Sequence, residues 1–262
     1  LQKIPRSLER KIGSRDDIVR SLAITSDGNR LVAGSWDGTT SVWRLDQPGS
    51  VPLASEDQGS ETYATALHEA TRVLASTYLD GRIILWRVGD SGLERLKVLN
   101  AEHSGYRKQV TTAGFNSAGT LLATAGWDKQ IILWDVTNPA EPTPVAAFGS
   151  KYHFAPIQRI VFLPDDAQGH SLASTDLEGK VAIWRISTSA PSAPGGVRQE
   201  RTFAVSDIQQ RRVGLYSVAA SPDGRYLVAG DSEGNVYLWD LQSTSPQAVR
   251  GVRLTKGRHG ND

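Results

Sequence analysis

Residues that could perform catalysis or bind a metal are scattered along this sequence without the spacing that either chemistry requires. The stretch 89–92, Gly-Asp-Ser-Gly, has the composition of a serine-protease nucleophile loop, but Leu93 and Glu94 follow it and no histidine motif accompanies it. Asp165 and Asp166 offer too few oxygen ligands in sequence for calcium. Five single histidines, without the HExxH spacing of a zinc site, lie at positions 68, 103, 153, 170 and 259. We therefore predict no catalytic residue, no metal site and no cofactor.

The overall composition disfavours several other classes of function. The chain has 262 residues and a formal net charge of +1, which argues against a general nucleic-acid binder. Cysteine is absent, which excludes disulfides and thiol catalysis and fits a cytoplasmic location. The sequence has no apolar run long enough for a membrane span and no secretion signal. Because methionine is also absent and the chain begins at Leu1, we expect a piece of a longer protein.

A short pattern ending in tryptophan occurs five times along the chain. The copies are LVAGSWDGTTSVW (31–43), LASTYLDGRIILW (74–86), LATAGWDKQIILW (122–134), LASTDLEGKVAIW (172–184) and LVAGDSEGNVYLW (227–239). In each copy an acidic residue lies six positions before the final tryptophan: Asp37, Asp80, Asp128, Glu178 and Glu233. An apolar run, an acidic turn residue usually followed by glycine, and an alternating run predict two strands around a tight turn.

Two further strands complete each repeat. One precedes each copy, and another is predicted in each variable segment, near 51–55, 93–99, 143–148, 201–205 and 248–254. Four-stranded antiparallel sheets with two apolar faces must stack on one another, and radial stacking makes an all-β propeller. The predicted blades are approximately 14–58, 59–99, 100–148, 149–205 and 206–254. The segment 187–211, which begins with Ser, Ala, Pro and Gly residues, is predicted to be a partly flexible loop between blades.

These copies resemble the blades of WD-repeat propellers, over roughly residues 13 to 241. The stretch 221–241, SPDGRYLVAGDSEGNVYLWDL, is close to the family consensus, and the Trp-Asp dipeptide occurs at 134–135 and 239–240. Three copies depart from the dipeptide, with Arg44, Arg87 and Arg185 after the tryptophan. The resemblance implies a structural framework made of the repeat tryptophans and turn aspartates: Trp43, Trp86, Trp134, Trp184, Trp239, Asp37, Asp80 and Asp128.

The resemblance also implies a buried network that joins a histidine before the first strand, a serine or threonine on the second, the turn aspartate and the tryptophan. In the fourth copy His153, Ser174 and Trp184 match this set, but Glu178 replaces the aspartate. The third copy has Thr124 but no histidine close to its first strand. We therefore expect few complete networks, and a stability that depends mainly on stacked apolar faces.

One face of a WD-repeat propeller commonly meets partners, and the resemblance places the residue before each turn acid on that face. These residues are Trp36, Leu79, Trp127, Leu177 and Ser232. The positions that lead into the first strands belong to the same face: Asp16, Arg107, Gln109, Phe154 and Arg212. Because tryptophan is enriched at interface hot spots, Trp36 and Trp127 predict a partner-binding rim. The alternative is that both tryptophans fold over a neighbouring blade and fill a gap.

The outer strands leave two arrangements open. Residues 8–13 and 252–262 both look like parts of further blades, so the chain has one predicted outer strand more than five blades need. Either the ring closes at five blades with one terminal segment displaced, or the chain is part of a larger propeller, most often seven-bladed in this family. We favour the second arrangement. An open arc leaves an apolar sheet face bare at each end and would promote self-association.

The function predicted from the sequence is that of an interaction module without chemistry of its own. It would act as a scaffold or sensor domain of a larger regulatory or signalling protein and bind other proteins, or the rest of its own polypeptide, on the rim. The alternative is a small-ligand-binding or hydrolytic propeller that uses the central channel. Channel-facing positions of the first strands supply mainly Ser, Thr, Ala and Arg rather than converging acids, which favours the interaction module.

Overall fold

A computed structural model describes residues 17–25, 27–46, 52–100, 108–167, 169–206 and 212–243, together with the backbone of Val249–Arg250. Within this part of the chain all regular secondary structure is β-strand, which confirms the predicted all-β fold. The strands form five four-stranded sheets, each a meander of consecutive antiparallel strands. These sheets are called blades 1 to 5.

The strands have the following bounds. Blade 1 contains β1 (Val19–Ile24), β2 (Arg30–Ser35), β3 (Thr39–Arg44) and β4 (Ala54–Asp57). Blade 2 contains β5 (Thr62–His68), β6 (Val73–Tyr78), β7 (Arg82–Val88) and β8 (Leu93–Asn100). Blade 3 contains β9 (Val110–Phe115), β10 (Leu121–Gly126), β11 (Ile131–Asp135) and β12 (Thr143–Phe148). Blade 4 contains β13 (Ile157–Asp166), β14 (Gly169–Asp176), β15 (Lys180–Ile186) and β16 (Val197–Ala204). Blade 5 contains β17 (Leu215–Ala220), β18 (Tyr226–Asp231), β19 (Val236–Asp240) and β20 (Val249–Arg250).

The core lies between neighbouring blades. Alternate side chains of each sheet point to opposite faces, so a strand such as β6 sends Leu74 toward blade 1 and Ala75 toward blade 3. One apolar cluster joins each successive pair of blades. The first strands contact each other in the order β1, β5, β9, β13 and β17, which makes them the innermost strands. The blades therefore stack radially, as a β-propeller requires.

The turns between the second and third strands follow the predicted hairpin chemistry. Asp37, Asp80 and Asp128 each accept a hydrogen bond from the backbone N–H two residues further on, at 2.9, 3.0 and 3.1 Å. Blades 4 and 5 have glutamate at that position, and the carboxylate that accepts the backbone N–H bonds lies two residues earlier in the sequence. Asp176 and Asp231 there accept backbone N–H bonds at 2.8–2.9 Å. A carboxylate at the end of the second strand thus replaces the turn acid.

The fourth strands differ in part from the prediction. β16 begins at Val197, so a strand occupies part of the segment 187–211 that was expected to be loop. The physical reason is that β15 continues to Ile186, which pairs with Val197, and the chain reverses between them. Residues 207–211, residues 8–13 and residues 251–262 lie outside the described part of the chain, so the closure of the ring stays a prediction.

The two end blades expose apolar side chains. On β1, Leu22 and Ile24 are 65% and 61% exposed, and on blade 5 Tyr216 and Leu238 are 46% and 37% exposed. In the three middle blades the residues that match Ile24 are Leu67, Phe115 and Phe162, and each is partly buried against the apolar cluster shared with the preceding blade. The end blades therefore present apolar surface that a sheet face normally buries.

Candidate interaction face

Backbone hydrogen bonds place the residue before each turn acid position next to the start of the first strand of its blade. In every blade the N–H of the residue before the turn acid position donates to a carbonyl at the start of the first strand. The five bonds, 2.9–3.1 Å long, are Trp36 to Ile18, Leu79 to Glu61, Trp127 to Gln109, Leu177 to Pro156 and Ser232 to Gly214. The residue before the acid and the lead-in to the first strand are therefore neighbours in each blade. The surface formed by these residues is called the top face.

A β-bulge lies at the top-face end of every first strand. The pairing between first and second strands shifts by one residue there, which leaves one unpaired residue in each blade. These residues are Arg20, Tyr63, Thr111, Gln158 and Tyr216. Bulges redirect side chains at the rims of β structures. Sequence reasoning missed this set because an extra residue in a strand leaves no clear local signal.

Trp36 packs against the next blade. Its ring centroid is 6.0 Å from that of Tyr63 in blade 2, and the Arg20 guanidinium lies 5.8 Å from the Trp36 ring and 5.6 Å from the Tyr63 ring. Trp36 is partly buried, and its Nε1 is buried without a hydrogen-bond partner. This geometry is that of the packing alternative for Trp36. Its indole N–H nevertheless lacks the acceptor that a buried donor normally has.

Phe154, Glu178, Lys180 and Arg212 lie together between blades 4 and 5. Phe154 is 64% exposed, and Lys180 Nζ lies 5.1 Å from the centre of its ring. Glu178, in the turn of blade 4, forms an ion pair with Arg212, which leads into blade 5. These four residues and Val205 line an open cavity of about 310 Å³, called the blade 4–5 cleft. An exposed aromatic ring beside charges of both signs is typical of a protein-binding surface.

The other predicted rim residues are distributed around the same face. Leu79, Trp127 and Leu177 are each partly buried. Gln109 is partly buried as well, and its Oε1 has no hydrogen-bond partner. Asp16 and Arg107 lie outside the described residues. The structure therefore brings Phe154 and Arg212 together in one cleft and leaves Leu79 and Trp127 in separate blades.

A buried polar network begins at His153, the residue that precedes Phe154. His153 Nδ1 lies 2.8 Å from Asp176 Oδ2, and His153 Nε2 lies 2.7 Å from Ser174 Oγ. Trp184 Nε1 donates to the same Ser174 oxygen at 2.8 Å, and all four side chains are buried. The acid of this network is Asp176, whereas the expectation placed Glu178 there. The two-residue shift leaves Glu178 on the surface, where it pairs with Arg212.

Related networks occupy the same place in other blades. Trp86 Nε1 donates to Ser76 Oγ at 2.7 Å and Trp134 Nε1 donates to Thr124 Oγ1 at 3.0 Å, which repeats the pairing of Trp184 with Ser174. In blade 2 the Tyr78 hydroxyl contacts Ser76 Oγ at 2.9 Å and Thr40 Oγ1 of blade 1 at 3.1 Å. Burial raises the pKa of Tyr78, so its hydroxyl stays protonated.

The last residue of the second strand decides which network forms. This position holds Ser35, Tyr78, Gly126, Asp176 and Asp231 in the five blades. In blade 5, Asp231 Oδ2 accepts hydrogen bonds from Tyr237 Oη at 2.9 Å and Asn235 Nδ2 at 2.7 Å. Aligning the five copies on their tryptophans shows residues with a polar group at this position in every blade except blade 3, which has Gly126, and would have found the set.

Radial blades with buried polar networks and a top face of aromatic and charged residues define a β-propeller built from repeated four-stranded blades. The segments 6–44, 95–135 and 207–240 match the family described as WD domain, G-beta repeat. The chain therefore carries WD repeats at these three places, which confirms the predicted resemblance of its blades to those of WD-repeat propellers.

Similar curated proteins carry the same repeats. The chain is 27% identical over 214 residues to the Protein LST8 homolog of Drosophila melanogaster, an alignment that covers 81% of this chain and 60% of that protein. It is 24% identical over 232 residues to the guanine nucleotide-binding protein subunit beta of Zea mays, covering 85% of this chain and 57% of that protein. It is 25% identical over 137 residues to the target of rapamycin complex subunit wat1 of Schizosaccharomyces pombe, covering 52% of this chain and 37% of that protein. The chain thus spans about 60% of the length of the first two relatives.

The described residues contain neither a membrane-spanning helix nor a metal-binding cluster. No helix in this part of the chain is long and apolar enough to cross a membrane. Nor do three or more histidine, aspartate or glutamate side chains cluster there in a way that could hold a metal ion. The prediction of a chain without cofactor stays a prediction.

Proposed function

We propose that this chain is a non-catalytic scaffold or sensor domain of a larger, cytoplasmic regulatory protein, and that it binds another protein on its top face through the blade 4–5 cleft. The observation that carries this proposal is the exposure of Phe154, 64%, beside the charges of Glu178, Lys180 and Arg212. Aromatic residues and arginine are the side chains most enriched where interfaces carry their binding energy.

The chain around Phe154 supports this role because it is rigid. His153 is fully buried and bonded through both ring nitrogens, so the backbone on which Phe154 stands is held in place. A preorganised aromatic side chain loses little conformational entropy when a partner covers it. The cleft thus has the property of a binding anchor rather than of a mobile surface loop.

The charges around the cleft are available to a partner. In the Arg212–Glu178 pair the side chains are 67% and 40% exposed, and exposed ion pairs contribute little to stability. These charges can therefore exchange partners when a second protein covers them, and such exchange sets specificity and the rate of association. Among the relatives, two are named as subunits, one of a guanine nucleotide-binding protein and one of a target of rapamycin complex. These names support a signalling assembly as the setting for this chain.

Replacing Phe154 by Ala is expected to abolish capture of the partner while the melting temperature changes by less than about 2 °C, because an exposed ring contributes little to packing. Quantitative affinity capture from extracts, compared between wild type and variant, identifies the proteins that depend on Phe154. A protein recovered in this way and then purified should bind the variant about tenfold more weakly or worse.

The matched control for this experiment is Ile24→Ala. Ile24 is 61% exposed, close to the value for Phe154, but lies in blade 1, on the surface predicted to bind a second copy of this chain rather than the partner. Loss of the same proteins by both variants, or a fall of several degrees in the melting temperature of Phe154→Ala alone, would contradict a specific site at the cleft.

Self-association through the end blades stays a prediction. The exposed Leu22 and Ile24 of blade 1 and Leu238 of blade 5 support it. Sedimentation velocity over a range of protein concentrations should show a larger species that Leu22→Glu removes, because a buried unpaired carboxylate is costly. A monomer at every concentration would contradict it.

A further inference from the structure

Two arginines lie at the top-face ends of innermost strands. Arg20 lies on β1 and Arg159 on β13, in blades 1 and 4, which are not neighbours. Nevertheless the charge of Arg20 acts on Arg159: burial lowers the pKa of Arg159 first, and the positive charge of Arg20 lowers it further. Arg20 reaches over the ring of Tyr63 in blade 2, and Arg159 Nη1 donates to the Thr111 carbonyl in blade 3. Because β5 and β9 are neighbours, the two guanidinium groups extend toward each other from opposite sides at the mouth of the central channel. This place is called the channel mouth.

Neither charge is neutralised by a carboxylate in the part of the chain that the structure describes. Among the described residues neither arginine has a carboxylate within ion-pair distance. Arg159 Nη1 donates to the backbone oxygens of Thr111 at 3.1 Å and Gln158 at 2.9 Å, which are neutral acceptors. Two like charges in a partly dehydrated site repel each other, and a bound anion would relieve that repulsion.

The unsatisfied atoms of the channel mouth are donors. Arg20 Nε and Trp36 Nε1 are both buried without a hydrogen-bond partner. The rings of Trp36 and Tyr63 stabilise the Arg20 cation through their faces, but a ring face does not fill these in-plane N–H groups. Buried N–H groups normally have an acceptor, so the group that completes this site must offer several acceptor atoms and negative charge.

We propose that the channel mouth binds a phosphate group, either free or as part of a small phosphorylated molecule, through Arg20 and Arg159. A phosphate dianion matches two guanidinium charges, and its oxygens can accept from both arginines and from Trp36 Nε1 at once. A single carboxylate carries half of that charge and fewer acceptor atoms. The site is separate from the blade 4–5 cleft and does not depend on the proposed partner there.

Titration calorimetry and thermal melting of the full chain test this proposal. Inorganic phosphate, pyrophosphate and acetate are each added in a phosphate-free buffer, with chloride adjusted to keep the ionic strength constant. We expect saturable binding of phosphate or pyrophosphate that raises the melting temperature, and weaker binding of acetate. Stronger binding of pyrophosphate than of phosphate would point to a phosphorylated molecule as the occupant, and the reverse to free phosphate.

Variants of the channel mouth decide whether this binding is specific. Arg20→Gln and Arg159→Gln should each weaken phosphate binding about tenfold or more, because each removes a charged donor. Without phosphate, Arg20→Gln should melt no lower than wild type, since the substitution relieves the repulsion between the two arginines. If Arg159→Gln does not fold, Arg20→Gln alone still tests the proposal. The control is Arg87→Gln, which changes an exposed arginine of blade 2 outside both proposed sites and should bind phosphate like wild type. Absence of saturable binding, equal binding by Arg20→Gln, or tighter binding of acetate than of phosphate would overturn the proposal.

Discussion

Replacing His153 by Ala is expected to lower the free energy of unfolding by about 3 to 5 kcal/mol, the usual cost of leaving a buried charge, here the Asp176 carboxylate, without its partner. His153 is fully buried, and its loss leaves Asp176 Oδ2 without its 2.8 Å partner in a site that is 1% exposed. The imidazole also leaves a cavity beside Trp184, whose ring centroid lies 6.2 Å away. Urea unfolding followed by tryptophan fluorescence measures the change.

The direction of the hydrogen bonds explains why a substitution at Ser174 should also lower stability. Trp184 Nε1 donates to Ser174 Oγ, and the hydroxyl of Ser174 can then donate to His153 Nε2 while Nδ1–H donates to Asp176. Only this tautomer of a neutral imidazole satisfies every atom in the row. Each member therefore depends on the next, and the effects of substitutions at His153 and Ser174 should not add.

His68→Ala is the matched control for His153→Ala. His68 is partly exposed and its ring contacts Thr71 Oγ1 and the Ser117 carbonyl at the surface, so its loss should cost less than about 1 kcal/mol. Equal losses of stability for the two variants would show that the buried network contributes no more than a surface contact.

The blades could be predicted from the sequence because their information is local. An apolar run, an acidic turn residue and an alternating run ending in tryptophan specify a hairpin without reference to any distant residue. The fourth strands lack such a signal: β12 has the predicted bounds, whereas β16 begins four residues earlier than expected. Its bounds depend on how far β15 extends, which is a matter of pairing and not of composition.

The candidate sites depend on contacts between blades, which the sequence does not reveal. Whether Trp36 reaches solvent or covers Tyr63 is decided by the neighbouring sheet, and the choice between Asp176 and Glu178 by a two-residue offset. The meeting of Arg20 and Arg159 requires the blades to curve around a common axis. Phe154 could be predicted because it follows a histidine that the family pattern places before the first strand.

Contacts of the framework also position the residues proposed to bind a partner. His153 holds the segment that presents Phe154, and the backbone bond from Trp127 to Gln109 holds the rim of blade 3. A substitution that disturbs either contact should therefore change stability and the top face together, whereas Phe154→Ala should change the top face alone. This difference separates the framework from the residues proposed to bind.

Replacing Gly126 by Ala is expected to destabilise the protein by about 3 kcal/mol, at the upper end of the range for overpacking. A Cβ at this position would lie 1.9 Å from the Gln109 carbonyl oxygen and 2.9 Å from its carbon, and backbone atoms cannot rotate out of the way. The other blades carry Ser35, Tyr78, Asp176 and Asp231 at the same position, so the close approach of β9 to β10 is particular to blade 3.

Gly114→Ala is the control for Gly126→Ala, because Gly114 lies in the same blade and a Cβ there would have no atom within 4 Å. It should leave stability unchanged or raise it by up to about 1 kcal/mol, since alanine restricts the unfolded chain. Gly126→Ala should also displace the Gln109 carbonyl that accepts the 3.0 Å bond from the Trp127 N–H, so Trp127 should exchange its amide proton faster. If instead Gly126→Ala unfolds at the same urea concentration as Gly114→Ala, the backbone of β9 can move away from β10 without cost, and the top face of blade 3 is not held by that contact.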